Sequence, residues 1–345
     1  MPHATLAPAL RWPAEALWQA AEPLLSGFSV EILPELGSTN TELMRRARLG
    51  RADPVLLVAE RQTAGRGRLG RAWSSHGAAL HDSAGLEAGA PPRAAASTGP
   101  ANSVADSGAA DTAANTDTDT DTDTDTDTDT AAAAAADKAA IYKAATAGAD
   151  AAAQAAQTGA SLTFSLGLAL APIDWSGLSL AVGLAVAHSL HPGVQLKWPN
   201  DLWFDGRKLG GILIETVAVG ELRYAVIGIG INIECPPAQD LRTPPAALRE
   251  LLPDVDAAQA LGLIALPLVQ AVLRFAHEGF GPLRSAYHAR DLLYGQALVC
   301  TDGTVGQGRG VDASGALLLQ TSNGLQKISS AEVSVRPKSP VFAGH

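Results

Sequence analysis

KLGGILIETVAVGELRYAVIGIGINI, residues 208–233, holds two segments that decide the fold: Lys208–Thr216 and Leu222–Ile233. Both are rich in β-branched and aliphatic residues, the composition of buried strands. In the second, Gly228-Ile229-Gly230-Ile231-Asn232-Ile233 alternates strictly, so isoleucines pack on one face while glycines leave room on the other. Asn232 ends the pattern with a side chain that both donates and accepts. No helix follows these glycines, so the hexapeptide is not a dinucleotide fingerprint. In the first segment Gly210-Gly211 interrupts a good strand, which marks a bulge or a close approach by ligand or backbone. Lys208, just before that pair, would set an ammonium beside whatever approaches. A plain hairpin turning at Asp205-Gly206, with Lys208 solvated, explains the same residues.

Working outward, Phe28–Leu33, Val55–Glu60 and Val194–Trp198 read as further strands, the last running into the proline turn of Lys197-Trp198-Pro199-Asn200-Asp201. A helix begins near Ser38-Thr39-Asn40 and ends at Gly50. Thr39 with Glu42 three residues later forms a capping box, and a helix N-terminus is also a cluster of donors for a ligand. Leu178–Leu190 reads as a core helix, too short to span a bilayer, and no uncharged apolar stretch approaches the ~20 residues of a span. Residues 257–292 are helical in two pieces broken at Phe280-Gly281-Pro282. After Leu293 the turns Asp302-Gly303, Ser314-Gly315 and Asn323-Gly324 punctuate short strands, a small all-β, barrel-like domain. The expected organisation is an N-terminal extension (1–27), a main domain (28–292), a β domain (293–336) and a tail (337–345).

Residues 81–160 interrupt the main domain with Ala-rich tracts and a strict Thr-Asp alternation from Thr116 to Thr130. Thr-Asp has no apolar face to bury, and its seven carboxylates would repel on one face of a strand, so disorder is expected. The insertion divides one strand between Gly77-Ala78-Ala79-Leu80 and Ser161–Leu166, as a solvated tether whose closure entropy grows slowly with length. It holds 13 acidic and 3 basic residues, which accounts for the whole net charge of −10. The remainder is neutral, unlike a basic nucleic-acid binder. Cys235 and Cys300 lie far apart without metal spacing, and Arg11 and Glu15 break the N-terminal apolar residues, so a reducing, cytoplasmic setting without a signal peptide is expected.

The densest chemistry lies in Ala64-Gly65-Arg66-Gly67-Arg68-Leu69-Gly70-Arg71-Ala72-Trp73. Its glycines let the backbone come close to a ligand, and its three arginines are planar donors suited to phosphate or carboxylate. Such loops close on anions, grip nucleic acid, or are simply solvated.

Five segments in order resemble the biotin protein ligase family: Gly37-Ser38-Thr39-Asn40, Gln62 to Arg71, Lys197 to Asp201, Lys208 to Leu213, and Gly228 to Asn232. The resemblance covers residues 28–235 apart from the insertion, and the terminal β domain looks like the family's. It implies an α+β fold: a mixed, mainly antiparallel sheet packed with helices, like a class II synthetase core, plus a small C-terminal SH3-like β-barrel. It implies ATP and biotin as substrates with Mg2+, biotinyl-5′-AMP as intermediate, and a biotin carboxyl-carrier protein of acetyl-CoA carboxylase as acceptor. By position, Ser38, Thr39, Asn40, Gln62, Gly65, Arg66, Gly67, Arg68, Lys208, Gly210 and Gly211 match the biotin side. Arg66, Arg68, Arg71, Trp73, Asn200, Asp201, Lys208 and Asn232 match the nucleotide side, with Asp201 toward the metal. Trp73 lines the ligand or belongs to the core. Lys208 and Arg68 are the expected catalytic residues. Ala79 departs from the asparagine of the family's Gly-Ala-Asn-Leu strand. Only about 27 residues precede the first strand, too few for the DNA-binding arm of some relatives. An exposed sheet edge leaves room for a homodimer or for docking the carrier by strand addition. A lipoate or octanoate ligase and a catalytically idle biotin-sensing module are the alternative readings.

Overall fold

The computed structural model describes residues 10–70, 72–73, 159–236, 244–329 and 335–337. Arg71, the Gly77–Leu80 lead-in, residues 81–158 of the insertion and the tail beyond Pro337 lie outside the described residues.

Along the chain come α1 (Ala14–Ala21), β1 (Ser29–Leu36), α2 (Thr39–Arg48), β2 (Val55–Gln62), β3 (Gly65–Arg66), β4 (Ala72–Trp73) and β5 (Ser161–Ala169). There follow α3 (Leu178–Leu190), β6 (Gln195–Lys197), β7 (Asp201–Phe204), β8 (Arg207–Val219), β9 (Leu222–Asn232), α4 (Ala257–Glu278) and α5 (Arg284–His288). Seven strands make one sheet in the order β1-β2-β5-β9-β8-β7-β6. β1 and β2 run parallel across the α2 crossover, and every other neighbouring pair is antiparallel.

Alternation divides the two faces of this sheet. Leu162, Phe164, Leu166 and Leu168 of β5 and Ile227, Ile229 and Ile231 of β9 are buried in one cluster with residues of α3 and α4. Fully burying each such side chain contributes about 1.5–3 kcal/mol. The opposite face carries Ser161, Thr163, Ser165 and Gly167 of β5, paired in register with Asn232, Gly230, Gly228 and Val226 of β9. α2 lies over part of this face, touching β8, β5 and β9.

Several local expectations need correction. The α2 cap is Ser38, whose Oγ accepts from Thr41 N at 3.4 Å, not a Thr39–Glu42 box. Glu42 instead accepts from Arg45 and Arg46, 2.8–2.9 Å away. Burial pushes its carboxyl up, but these two guanidinium groups outweigh that and hold it below the usual range. The short strand β7 was foreseen only as the first arm of the hairpin turning at Asp205-Gly206. α4, at 22 residues, is long and apolar enough by composition to cross a membrane, contrary to expectation. Its apolarity is accounted for by packing, since Leu261, Ile264, Leu268, Val272 and Phe275 are buried in the core.

A second, antiparallel sheet follows: β10 (Ala297–Cys300), β11 (Val305–Val311), β12 (Leu317–Thr321), β13 (Gly324–Ile328) and β14 (Val335–Pro337), ordered β13-β12-β11-β10-β14. It is fastened to the first part by hydrogen bonds to its backbone. Trp198 Nε1 donates to Gly315 O at 3.0 Å, and Arg284 Nε donates to Val311 O at 2.7 Å.

Candidate active site

The register places small residues in rows across the strands. Ala59 of β2 faces Thr163 of β5, which faces Gly230 of β9, which faces Gly211 of β8. A parallel row holds Leu57, Ser165, Gly228 and Leu213. The glycines of the alternating hexapeptide therefore lie on the face that would floor a ligand crevice, as the sequence pattern requires, and each is covered by a different neighbour. A Cβ on Gly230 would lie 2.5 Å from Trp73 Cε2, so the indole rests directly on this glycine. A Cβ on Gly228 would meet the Asn40 side chain.

The N-terminus of α2 closes one end of the crevice. Ser38, Thr39, Asn40 and Gln62 are all buried there. Gln62 Oε1 accepts from Thr39 N at 2.8 Å and lies 3.2 Å from Thr39 Oγ1. Asn40 Nδ2 donates to Glu215 Oε2 at 2.9 Å and Leu213 O at 3.2 Å. Beneath them sits Ser165, fully buried, 2.7 Å from both Thr39 Oγ1 and Asn40 Oδ1. Sequence reasoning missed Ser165 and Glu215. The available signal was the period-two run of small residues Ser161, Thr163, Ser165 and Gly167.

The other end holds the charges. Asp205 (φ 49°) and Gly206 (φ 70°) make the β7–β8 hairpin turn, so the hairpin reading of this segment holds. Lys208 is nevertheless not simply solvated. Leu202 pairs with Gly210 and Trp203 with Lys208, leaving Leu209 as an extra residue on β8. This bulge turns Lys208 away from the core face and onto the face of Asp201 and Gly211. Lys208 Nζ donates to Asp201 Oδ1 at 2.8 Å. Asn200 Nδ2 donates to Ile212 O at 2.7 Å, and its Oδ1 accepts from Arg68 Nη1 at 3.2 Å, 132 residues away in sequence. The basic loop thus reaches the turn that follows Lys197-Trp198-Pro199.

Other sequence-chosen residues have more structural surroundings. Gly65 pairs with Trp73 across the two-stranded β3–β4 ribbon, and a Cβ there would strike Trp73 O at 2.5 Å. Gly210 is held small by Gly230 O and Leu202, whereas a Cβ on Gly211 would face Lys208 Nζ and Asp201 Oδ1 at 3.5–3.6 Å. Asn232 Nδ2 donates to Ala246 O at 3.0 Å and Lys208 O at 3.4 Å, tying residues 244–246 to the edge of the site. Arg66 is exposed, Gly67 is half-buried, and Arg71 lies outside the described residues. This region therefore carries hydrogen-bonding groups at one end and an ammonium and a guanidinium at the other. That arrangement suits a polar ring joined to an anion.

Comparison with known proteins identifies the family. Residues 120–232 match the model of the biotin/lipoate A/B protein ligase family, and residues 298–336 match the biotin protein ligase C-terminal domain. A biotin–[acetyl-CoA-carboxylase] ligase of Paracoccus denitrificans is 34% identical over 183 residues, 50% of this chain and 72% of that protein. The bifunctional ligase/repressor BirA of Escherichia coli is 31% identical over 49% of this chain and 56% of its own length. A biotin–[acetyl-CoA-carboxylase] ligase of Mycobacterium tuberculosis is 26% identical over 88% of each chain. Among solved structures, the biotin protein ligase of Aquifex aeolicus in complex with biotin and ATP superposes with a TM-score of 0.57. It is 21% identical and covers 90% of this chain and 99% of that one, a likeness of fold.

Proposed function

The chain belongs to the biotin protein ligase family, and from that premise we propose that it joins biotin to a carrier-protein lysine in two ATP-driven steps. A biotin carboxylate oxygen attacks the α-phosphorus of ATP and pyrophosphate leaves, giving biotinyl-5′-AMP. The carrier amine then attacks the acyl carbon, AMP leaves with the bonding pair, and the amine gives up a proton. The observation that carries this reading is the β8 bulge that turns Lys208 toward Asp201 and Gly211, beside the Arg68–Asn200 contact.

The first step brings two anions together. Lys208 would bridge the biotin carboxylate and the α-phosphate, leaving Asp201 as they arrive, with Arg68 closing from the loop side. Arg66 and Arg71 would add charge over the phosphates. Fixed cations that meet charge as it develops lower the barrier without reorganisation at the moment of reaction. Gly211 leaves space in front of the ammonium. Ser38, Thr39, Asn40 and Gln62 would hold the ureido ring, with Trp73 across it. Asn232 has its amide hydrogens committed to backbone carbonyls, so only its oxygen remains to meet the nucleotide. Asp201, a single half-buried carboxylate, fits a Mg2+ carried mainly by phosphate oxygens and water. That ion would neutralise the leaving pyrophosphate.

In this reading residues 28–292 hold the chemistry. Residues 293–336 brace the Lys197–Asp201 turn through the Trp198–Gly315 bond. The acceptor is the biotin carboxyl carrier of an acetyl-CoA carboxylase, modified in the cytoplasm. The test is biotin-dependent exchange of pyrophosphate into ATP. Wild type should exchange with biotin and not with lipoate, and Lys208→Ala should lose about 10²-fold or more with an unchanged melting temperature. Absence of biotin-dependent exchange in wild type, or full exchange in Lys208→Ala, would refute the proposal.

A further inference from the structure

We propose that Ser165 determines the specificity of the ring site by fixing which way the Thr39 hydroxyl points its proton. The inference rests on the biotin-ligase reading and adds to it a residue that touches no substrate.

The argument is a count of protons. Asn40 Nδ2 lies between two pure acceptors, the Glu215 carboxylate and the Leu213 carbonyl, so the amide cannot be turned around. Asn40 Oδ1 therefore faces Ser165 Oγ, 2.7 Å away, as an acceptor. Ser165 has one proton, and this contact takes it. The second neighbour of Ser165 Oγ, Thr39 Oγ1, is also at 2.7 Å. Two hydroxyl oxygens at that distance need a proton between them, and only Thr39 has one left to supply. The alternative partner for that proton, Gln62 Oε1, is farther at 3.2 Å and already accepts from Thr39 N.

Thr39 Oγ1 is thereby left with lone pairs alone for a group entering beside Gln62. It takes an N–H and rejects an oxygen or a carbonyl. A cyclic urea presents such an N–H, and a cyclic carbamate with oxygen at that position presents a lone pair against a lone pair. All of the groups that set this polarity are buried or half-buried, and Ser165 is fully so, so water does not scramble the assignment. A site built to pair one hydrogen-bonding group discriminates strongly against the analogue lacking it.

Ser165→Ala releases the Thr39 proton from its 2.7 Å contact, so the hydroxyl can turn between the longer 3.2 Å contact to Gln62 Oε1 and an entering acceptor instead of being held away from both. The experiment measures KM for biotin, and for the two analogues in which either ureido N–H is replaced by oxygen, by pyrophosphate exchange. KM for ATP and the melting temperature are recorded alongside. In wild type one carbamate should be disfavoured at least tenfold relative to biotin. In Ser165→Ala that ratio should shrink about tenfold while KM for ATP holds. Thr39→Val, which removes the hydroxyl but keeps the shape, should abolish the preference by itself, and Ser165→Ala should change nothing further in that background. The proposal is overturned if the carbamate ratio is the same in wild type and Ser165→Ala. It is equally overturned if Thr39→Val retains the preference, a test that stands even where Ser165→Ala does not fold. Loss of all biotin-dependent exchange in wild type would instead strike the functional reading, so the two failures are distinct.

Discussion

Replacing Gly228 by alanine tests the packing on which the ring end of the crevice depends. The new Cβ would collide with Asn40 Oδ1 and fall 2.8 Å from Asn40 Cγ, where real contacts do not go below 3.0 Å. Asn40 would have to retreat by about 1 Å. Its oxygen now accepts from Ser165 at 2.7 Å and its nitrogen donates to Glu215 at 2.9 Å, so a retreat of that size breaks the first bond and strains the second. A buried hydroxyl left without its acceptor costs about 1–3 kcal/mol, and forcing a methyl into a filled site costs a similar amount. The expected loss is about 2–4 kcal/mol, a fall of roughly 5–12 °C in melting temperature for a domain of this size. The assay is thermal or urea unfolding of Gly228→Ala, of Asn40→Ala and of the double variant. If the methyl acts through Asn40, Gly228→Ala should cost less than about 1 kcal/mol once Asn40 is truncated. An equal cost in both backgrounds would refute the reasoning, because the clash would then lie elsewhere.

Gly230→Ala places its methyl 2.5 Å from the Trp73 indole, but Trp73 sits on a two-stranded ribbon and its Nε1 makes no hydrogen bond among the described residues. The ring should swing aside at a stability cost below that of Gly228→Ala, about 1 kcal/mol, while KM for biotin rises about tenfold in the exchange assay. Asp291 supplies a pH test. Burial raises its carboxyl to about 6 against the opposing pull of Leu293 N–H, and its Oδ2 has no partner among the described residues. The folded state therefore holds its proton more tightly than the unfolded state. Its contribution is full below about pH 4 and is lost as pH rises through about 6, some 2–3 kcal/mol. Asp291→Asn should remove that decline from unfolding measurements between pH 4 and 7, and an unchanged slope would contradict it.

Much of this architecture was legible because alternation is a local signal. The isoleucine–glycine pattern of Gly228–Ile233 named both the core face and the floor, and Leu178–Leu190 was bounded correctly by its apolar composition. Other features were ambiguous for physical reasons. Thr39-x-x-Glu42 satisfies a capping box, but the same spacing places Glu42 three and four residues before Arg45 and Arg46, and two guanidinium groups compete better for a carboxylate than one backbone N–H. β7 is only four residues between two turns, too short to show a period. Ser165 was marked only by the period-two run of small residues it belongs to, because a serine in a strand has no evident role until the register is known. Its importance arises from β5 lying between β2 and β9, pairings that span 108 and 63 residues at Leu57 and Gly228.

The Gly210-Gly211 pair shows most clearly where motif reading stops and geometry begins. From the sequence both glycines look alike, each making room for a ligand. In the sheet they point to opposite faces, because adjacent residues of a strand always do. Gly210 is small because the Gly230 carbonyl and Leu202 occupy the place of its side chain, so its role is to let β8 lie against its neighbours. Gly211 is on the crevice face, in register with Asp201 and Gly230. Lys208 would share the core face with Gly210 in a regular strand, two residues away. Only the extra residue Leu209, itself fully buried, moves the ammonium to the other side. The charge at the centre of the proposed chemistry is therefore placed by a backbone irregularity; the Gly210-Gly211 interruption signals a bulge in the sequence but not its direction, and the buried leucine between Lys208 and the glycine pair is what holds the ammonium there.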